Sequence, residues 1–213
     1  MTIWGSPGDR ADRVLTSTAT GEELRFLEYV LKNPINVEIL RLAPALGLDD
    51  WQLTAGALFQ TVWNLADDRA PGTAIRDYDL FYFDPDTSYE AEDAVIRRAA
   101  KLFADVPAEV EIRNEARVHL WYEEHFGVAA RPFTSTSDAI DHFASTTCCF
   151  GLTSQLDGAV SVYAPHGYTD VFGQRIVPNP VLAPHSVYEA KCQRWKAEWP
   201  KLIIEPWPTS SPV

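Results

Sequence analysis

The run from Asp77 to Phe83 most constrains the fold of this chain, because two acids alternate with apolar side chains in it. Asp77 and Asp79 flank Tyr78, and four apolar or aromatic residues follow. If the run is a β-strand, its period of two places both carboxylates on one face and Tyr78 and Leu80 on the other. Two negative charges this close repel each other, and a bound cation relieves that repulsion. The run therefore predicts a half-buried strand that carries a metal site.

The composition of the chain limits its class. Its 213 residues, 46% of them hydrophobic, suffice for one sizeable core, and no change of composition divides them. We expect a single domain over residues 20–207, between a flexible segment at 1–19 and a flexible tail at 208–213. There is neither a secretion signal nor an apolar stretch long enough to cross a bilayer, which predicts a cytoplasmic protein without membrane contact.

The negative charge of the chain bears on its partners. The formal net charge is −12 and the pI is near 4.8. A protein that tracks a long stretch of phosphate backbone needs a basic surface. The composition therefore argues against long nucleic acid as a partner, whereas a local basic pocket for an RNA end is compatible with it.

Helix-capping patterns predict two helices near the start of the chain. Thr20 is followed three residues later by Glu23, which is the pattern of a capping box. Asn33 and Pro34 then suit the cap and first residue of a second helix, and Gly47 marks its end. The opening of the chain is therefore predicted to be helical.

A strand, a glycine and a helix precede the acidic strand. Residues 51–55 are predicted to form a strand, Gly56 and Ala57 follow, and apolar residues at helical spacing continue to Leu65. After the acidic strand, Ser88 can cap a helix that ends before Pro107. The order predicts two strand–helix units in succession.

A second strand after that helix carries a third acid. Around Val110, alternation places Glu109, Glu111 and Arg113 on one face and apolar residues on the other. Residues 114–126 are predicted to turn helical, although residues 117–119 could instead extend the strand. The remaining predictions are a buried stripe of Ala116, Leu120 and Trp121, core positions for Trp63, Trp121, Trp195 and Trp199, a helix capped by Ser137, a hairpin of residues 148–153 and 159–164, and a last helix over 186–199.

Five motifs, spread over about residues 30–207, resemble a bacterial nucleotidyltransferase-like family of unassigned substrate, within the polymerase-β-type nucleotidyltransferase superfamily. They are Ala55-Gly56-Ala57, Trp63-Asn64, the stretch from Asp77 to Asp84, the stretch from Arg113 to Tyr122, and the stretch from Tyr163 to Gly167. Several motifs together are far more specific than a lone Asp-x-Asp. The resemblance implies an α/β (α+β) fold of the polymerase-β type, with a mixed sheet flanked by helices.

The resemblance also implies a reaction and roles for residues. The reaction is metal-dependent transfer of a nucleoside monophosphate from a nucleoside triphosphate to an unknown small-molecule or protein acceptor. Asp77, Asp79 and Glu111 would be catalytic and would bind Mg²⁺ or Mn²⁺, and Glu111 is the candidate base for the acceptor hydroxyl. The candidate nucleotide-binding residues are Gly56, Ala57, Arg113, Arg117 and Lys191.

Two features depart from the superfamily pattern. Ala57 stands where members usually have glycine or serine, and the spacing from Gly56 to Asp77 exceeds that of compact members. They favour a second interpretation, in which the chain is a catalytically weak or silent nucleotide-binding regulatory module. The sequence does not decide whether the protein acts alone or as one half of a toxin–antitoxin-like pair.

The charged residues are also compatible with plainer roles. Asp77 and Asp79 could be solvated acids at a strand edge. Arg113 and Arg117 could have the purely structural role of neutralising neighbouring acids. Acid/base hydrolysis by paired carboxylates, as in glycosidases, is a third possible function, but it normally needs the two groups on separate elements about 5–10 Å apart.

Overall fold

The computed structural model describes residues 20–209. The predicted flexible segment 1–19 and residues 210–213 of the predicted tail lie outside them. The described α-helices are α1 (Gly21–Val30), α2 (Pro34–Leu42), α3 (Gly56–Ala66), α4 (Tyr89–Leu102), α5 (Tyr122–Phe126), α6 (Thr136–Ile140), α7 (Thr169–Phe172) and α8 (His185–Glu198). The described strands are β1 (Trp51–Thr54), β2 (Asp77–Tyr82), β3 (Glu109–Asn114), β4 (Gly151–Ser154), β5 (Val160–Tyr163), β6 (Arg175–Ile176) and β7 (Ile203–Ile204). Short 3₁₀ helices cover Ala43–Leu46, Glu115–Leu120 and Thr146–Cys148.

Five of the described strands form a mixed sheet in the order β3-β2-β1-β4-β5. β2 and β3 run parallel and are joined by α4, while the other neighbours run antiparallel. β6 and β7 form a separate parallel pair that was not predicted. Helices α3 and α4 pack against the sheet. This architecture confirms the predicted α/β fold with a mixed sheet flanked by helices.

Asn33 links the predicted helical opening to the sheet. Thr20 caps α1 and Asn33 caps α2, as predicted, with the Asn33 side-chain oxygen accepting from the Ile35 amide at 3.0 Å. The side-chain amide of Asn33 also donates to Thr61 Oγ1 at 3.0 Å and to the Tyr78 hydroxyl at 3.1 Å. Because Tyr78 belongs to β2, these bonds fix the buried face of the acidic strand against α2 and α3.

A cluster of aromatic side chains joins α8 to α3. The ring of Trp63 lies 4.7 Å from that of Phe59, 5.8 Å from that of Trp195 and 5.5 Å from that of Trp199. Trp199 also donates its indole N–H to Asn64 Oδ1 at 3.0 Å. The predicted core positions of these three tryptophans are confirmed, and their packing brings the C-terminal helix to the site described below.

The segment after β3 turns out of the sheet. The Asn114 side chain accepts from the Ala116 amide at 3.1 Å and from the Asp84 amide at 3.0 Å. These bonds stabilise a turn at Asn114, and a 3₁₀ helix followed by the short α5 results. The possibility that residues 117–119 extend the strand is therefore wrong.

Three side-chain predictions in the second half of the chain are also wrong. Leu120 and Trp121 are 57% and 47% exposed, because the 3₁₀ helix has three residues per turn and the predicted stripe assumed 3.6. Helix α6 is capped by Ser135, whose hydroxyl accepts from the Asp138 amide at 3.0 Å, and not by Ser137.

The later elements otherwise agree with the sequence. The hairpin of β4 and β5 forms, although its first strand begins at Gly151 and not at residue 148, and α8 begins and ends within one residue of its predicted bounds. The short α7 was not predicted. Within the described part of the chain, no helix is long and apolar enough to span a membrane.

Candidate active site

Asp77, Asp79 and Glu111 come together on one face of two neighbouring strands. The alternation in β2 is as predicted, since Tyr78 and Leu80 are fully buried and the two acids are half-buried. In the parallel pairing of β2 with β3, Asp79 is the register partner of Glu111. Register partners point to the same face of a sheet. The three predicted carboxylates therefore share one face, opposite the buried face of Tyr78.

The environment of Asp79 disfavours its charged form. Burial, together with the charges of Asp77 and Glu111, raises the pKa of Asp79 from 3.8 to about 7, and Lys191 and Arg113 oppose this only in part. Within the described residues, no group donates a hydrogen bond to this carboxylate. A cation at this position would relieve both the desolvation and the repulsion.

The turn between β1 and α3 has an uncommon backbone conformation. Ala55 has φ 54° and ψ −136°, in the positive-φ region that favours glycine. The turn makes Gly56 the first residue of α3, and no described side chain caps this helix. The unbonded N–H groups and the positive end of the helix dipole are therefore available to an anion.

Gly56 and Ala57 have different surroundings. A β-carbon on Gly56 would lie 2.7 Å from Gln60 Nε2, so the bare α-carbon sits beneath a glutamine side chain. Ala57 is fully buried in the hydrophobic core, and its carbonyl accepts from Thr61 Oγ1 at 2.7 Å. The side chain at position 57 therefore points into the core and not into the site, so having alanine there in place of glycine or serine takes no side-chain group away from the site.

A pocket of about 260 Å³, here called the polar pocket, lies between the start of α3 and α8. Its lining includes Gly56, Asp77, Asp79, Lys191 and Arg194. The two cations are three residues apart on α8 and so lie on one side of that helix. Arg194 was not predicted as a site residue, and its spacing from Lys191 on a predicted helix was the available signal.

A second pocket, of about 340 Å³, adjoins the polar pocket and is here called the aromatic pocket. Asp79 and Lys191 line both pockets and so lie where the two meet. The second pocket takes its name from Phe81, Trp121, Tyr122, Phe126, Phe133 and Phe143. A third space of about 420 Å³, the outer cleft, adjoins the polar pocket at Asp77 and Arg194 and also contains Arg76.

The predicted arginines behave differently from each other. Arg113 lines the aromatic pocket and forms an ion pair with Glu111 at 2.5 Å. Arg117 instead lies 3.0 Å from the Glu92 carboxylate and donates to the carbonyl of Thr87 at 3.0 Å. Arg117 lines none of the three spaces, so the structure gives it a role in fixing the start of α4.

Glu115 is a site residue that the sequence analysis missed. It is 4% exposed and lines the aromatic pocket, yet it has no hydrogen bond or ion pair among the described residues. Burial, followed by the charges of Asp79 and Glu92, raises the pKa of Glu115 well above its usual value. Its position two residues after Arg113, at the end of the second acidic strand, was the only signal in the sequence.

The carboxylates suit a divalent ion that is also bound by substrate. Among the residues that the structure describes, no three His, Cys, Asp or Glu side chains form a ready metal-binding group. Mg²⁺ at nucleotide sites takes one or two carboxylates and completes its shell with phosphate oxygens and water. Asp77 and Asp79 offer two such oxygen ligands beside a pocket with cations for phosphate, so the donor chemistry fits this ion.

The fold and the site together define a nucleotidyltransferase. A strand, a glycine turn and a helix precede a strand with two carboxylates, and its parallel neighbour carries the third. The chain belongs to a family described as nucleotidyltransferase, whose model matches residues 41–204. This confirms the predicted nucleotidyltransferase-like family.

One solved structure is similar over most of the chain. It is described as an NMR structure that reveals a CCA-adding enzyme head domain, and it has a TM-score of 0.68 and 25% sequence identity. The match covers 86% of this chain and 96% of that one. No curated protein sequence matches this chain.

Proposed function

We propose that the protein transfers a nucleoside monophosphate from a nucleoside triphosphate to an acceptor hydroxyl, in a reaction that depends on a divalent metal and takes place at Asp79. One observation carries this proposal. Across the polar pocket, the carboxylates of β2 face both the uncapped start of α3 and the two cations of α8. An arrangement with anionic and cationic sides suits a metal-bound triphosphate.

The polar pocket would bind the phosphates. Backbone N–H groups at Gly56 would donate to phosphate oxygens, which approach closely because the residue has no side chain. Lys191 and Arg194 would neutralise the remaining charge from the opposite side of the pocket. Asp77 and Asp79 would hold Mg²⁺ or Mn²⁺, which when bound offsets the negative charge on the reacting phosphates.

The chemical step is a displacement at the α-phosphorus. The acceptor hydroxyl gives its proton to a carboxylate, for which we propose Glu111, and its oxygen forms a bond to the α-phosphorus. The bond from the α-phosphorus to the oxygen that bridges to the β-phosphate breaks. Pyrophosphate leaves with that electron pair, stabilised by the cations of the polar pocket.

The ion pair of Glu111 with Arg113 favours a second candidate function. Glu111 is already bound to Arg113 at 2.5 Å, so it must release this arginine before it can bind a metal ion or an acceptor hydroxyl. If nucleotide binding does not displace Arg113, the protein would bind nucleotide without turning it over and would act as a regulatory module.

Two measurements on the purified chain test the proposal and separate the candidates. Thermal unfolding is recorded with each of the four ribonucleoside triphosphates, with and without Mg²⁺ or Mn²⁺, and compared with the Asp77→Asn/Asp79→Asn double variant. Because a ligand that binds only the folded state raises the unfolding midpoint, we expect a metal-dependent rise in the wild type alone. Pyrophosphate release is then measured with the triphosphate that binds, in the presence of a panel of small hydroxyl compounds, because release requires an acceptor. Binding without release supports the regulatory module, and no binding under any condition contradicts both candidates.

A further inference from the structure

We propose that the aromatic pocket holds the acceptor, and that Glu115 selects a small molecule that carries, besides its reacting hydroxyl, an apolar or aromatic body and a protonated amine. The inference rests on the proposed function, because it names the acceptor class for the same site. It also makes a statement about binding that can be tested without any nucleotide.

Glu115 is the observation from which the inference starts. A carboxylate that is 4% exposed normally has a hydrogen-bond or ion-pair partner, because burial of an unpaired charge is costly. The two nearby arginines are engaged elsewhere, Arg113 with Glu111 and Arg117 with Glu92. The side chain of Glu115 lines the pocket, so a ligand there can supply the missing partner.

The local chain holds Glu115 in this position. It is the first residue of the 3₁₀ helix after β3, and Asn114 before it is buried and makes four side-chain hydrogen bonds, one of them to the Asp86 carbonyl at 3.3 Å. The Asn114 side chain accepts from the Ala116 amide and the Asp84 amide and donates to the Asp84 carbonyl at 2.9 Å. These bonds fix the backbone from which the Glu115 side chain extends.

The charges around the pocket favour a cation as the missing partner. The pocket is lined by four acids, Asp79, Glu92, Glu111 and Glu115, and by the cations Arg113 and Lys191. Arg117, from outside, compensates Glu92. The acids therefore outnumber the cations by one. Repulsion from Asp79 and Glu92 adds to the cost of charging Glu115, and the charge of Arg113 offsets this only in part. A protonated amine would offset both the burial and the repulsion.

The walls of the pocket determine the rest of the ligand. Six aromatic side chains line it, and aromatic faces bind both apolar groups and cations. Its volume of about 340 Å³ is that of a small-molecule site. Trp121 is 47% exposed although it lines the pocket, which places an aromatic ring at its mouth.

The three spaces differ in their balance of charge, which assigns the nucleotide and the acceptor to different sides of Asp79. Acids and cations are equal in number in the polar pocket (Asp77 and Asp79 with Lys191 and Arg194) and in the outer cleft (Asp77 and Glu198 with Arg76 and Arg194). Acids outnumber cations in the aromatic pocket, so an anionic nucleotide is favoured in the first two spaces. The unpartnered Glu115 lies on the other side. An acceptor in the aromatic pocket would therefore reach the α-phosphate where the two pockets meet, at Asp79.

Three matched probes test this by isothermal titration of the full chain, without nucleotide or metal. Phenethylamine, 2-phenylethanol and phenylacetate share one aromatic body and carry a cation, a neutral hydroxyl and an anion. We expect phenethylamine to bind about tenfold more tightly than 2-phenylethanol, because a hydrogen bond to a charged group adds at least that much, and phenylacetate not to bind. Equal binding of the amine and the alcohol, or a preference for phenylacetate, would overturn the inference.

Variants locate the binding. Glu115→Gln should lose the preference for the amine and keep the affinity for the alcohol, and its unfolding midpoint should not fall, because Glu115 has no partner to lose. Glu124→Gln, the same charge change on an exposed residue of α5, is the matched control and should keep the preference. Trp121→Ala should weaken both probes equally. If Glu115→Gln does not fold, unchanged binding in Trp121→Ala alone contradicts the inference.

The result is distinguishable from that of the proposed function. Pyrophosphate release without a preference for the amine would remove the acceptor class and leave nucleotidyl transfer in place. A preference for the amine that depends on Glu115, in a chain that binds no triphosphate, would support the pocket and remove the proposed reaction.

Discussion

Asp79 lies opposite Glu111 in the parallel register of β2 and β3, and Asp77 lies opposite the exposed Glu109. The sheet thus provides a matched pair of changes. Asp79→Asn should lower kcat/KM for pyrophosphate release by at least about 100-fold, a loss typical of a group that stabilises charge in the transition state. Glu109→Gln is the same kind of charge change at an exposed position on the strand that carries Glu111. This variant should leave kcat/KM for pyrophosphate release unchanged. Full activity of Asp79→Asn would remove the proposed mechanism.

The raised pKa of Asp79 predicts a pH-dependent stability of the metal-free protein. Between 3.8 and about 7, the folded chain retains a proton on Asp79 that the unfolded chain has released, so stability falls as pH rises through this window. Asp79→Asn abolishes this loss, which is on the order of a few kcal/mol. The unfolding midpoint of the variant should therefore exceed that of the wild type by roughly 5–10 °C more at pH 8 than at pH 4. An equal difference at both pH values would contradict the prediction.

Gly56→Ala should weaken triphosphate binding without unfolding the protein. The new β-carbon would lie 2.7 Å from Gln60 Nε2, and the flexible glutamine can move into the polar pocket or the outer cleft, both of which it lines and both of which we assign to the nucleotide. We expect a loss of about tenfold in affinity, typical of a lost phosphate contact. Gly21→Ala, at the first residue of α1 with no atom within 4 Å of the new β-carbon, is the control and should bind normally.

Lys191→Gln and Arg117→Gln should affect different properties. Lys191 lines both pockets, so its loss should weaken triphosphate binding by about tenfold, with little change in the unfolding midpoint. Arg117 and Glu92 are paired and mostly buried, at 18% and 16% side-chain exposure. Arg117→Gln should therefore destabilise the fold by about 1–3 kcal/mol and leave the affinity unchanged. Calorimetric titration and thermal unfolding of both variants separate the two effects.

Ala55→Gly should stabilise the protein. The φ of 54° at Ala55 disfavours any residue with a β-carbon, and glycine removes that strain of roughly 1–3 kcal/mol. Glycine also raises the entropy of the unfolded chain, which opposes folding. The net increase in the free energy of unfolding is therefore expected to be about 1 kcal/mol. A denaturant titration would show a higher midpoint with an unchanged slope. A lower midpoint would mean that the turn is held by contacts of the alanine methyl group.

The residues predicted correctly are those whose signals are local. The alternation around Asp79 depends only on the period of a strand, and the cap at Asn33 depends on its own side chain and the next proline. Glu111 could be placed beside Asp79 because a strand, a helix and a second strand favour a parallel pair. Each of these relationships needs no knowledge of distant parts of the chain.

The residues missed depend on packing between distant segments. Glu115 is a site residue because segments far along the chain, around Phe133 and Leu182, enclose the same pocket. Arg117 is not at the site because Glu92, on another element, binds it first. Neither an acid nor an arginine shows in its own neighbourhood which partner the fold will provide.

The packing of α8 against Trp63 has a consequence for protein synthesis. The three carboxylates lie between residues 77 and 111 of the chain, whereas the cations that face them, Lys191 and Arg194, belong to α8. A nascent chain that has emerged only as far as β5 would carry the acids and Arg113 without the two cations of α8. The site is therefore completed only when the last helix leaves the ribosome, and we expect triphosphate binding to begin at that point.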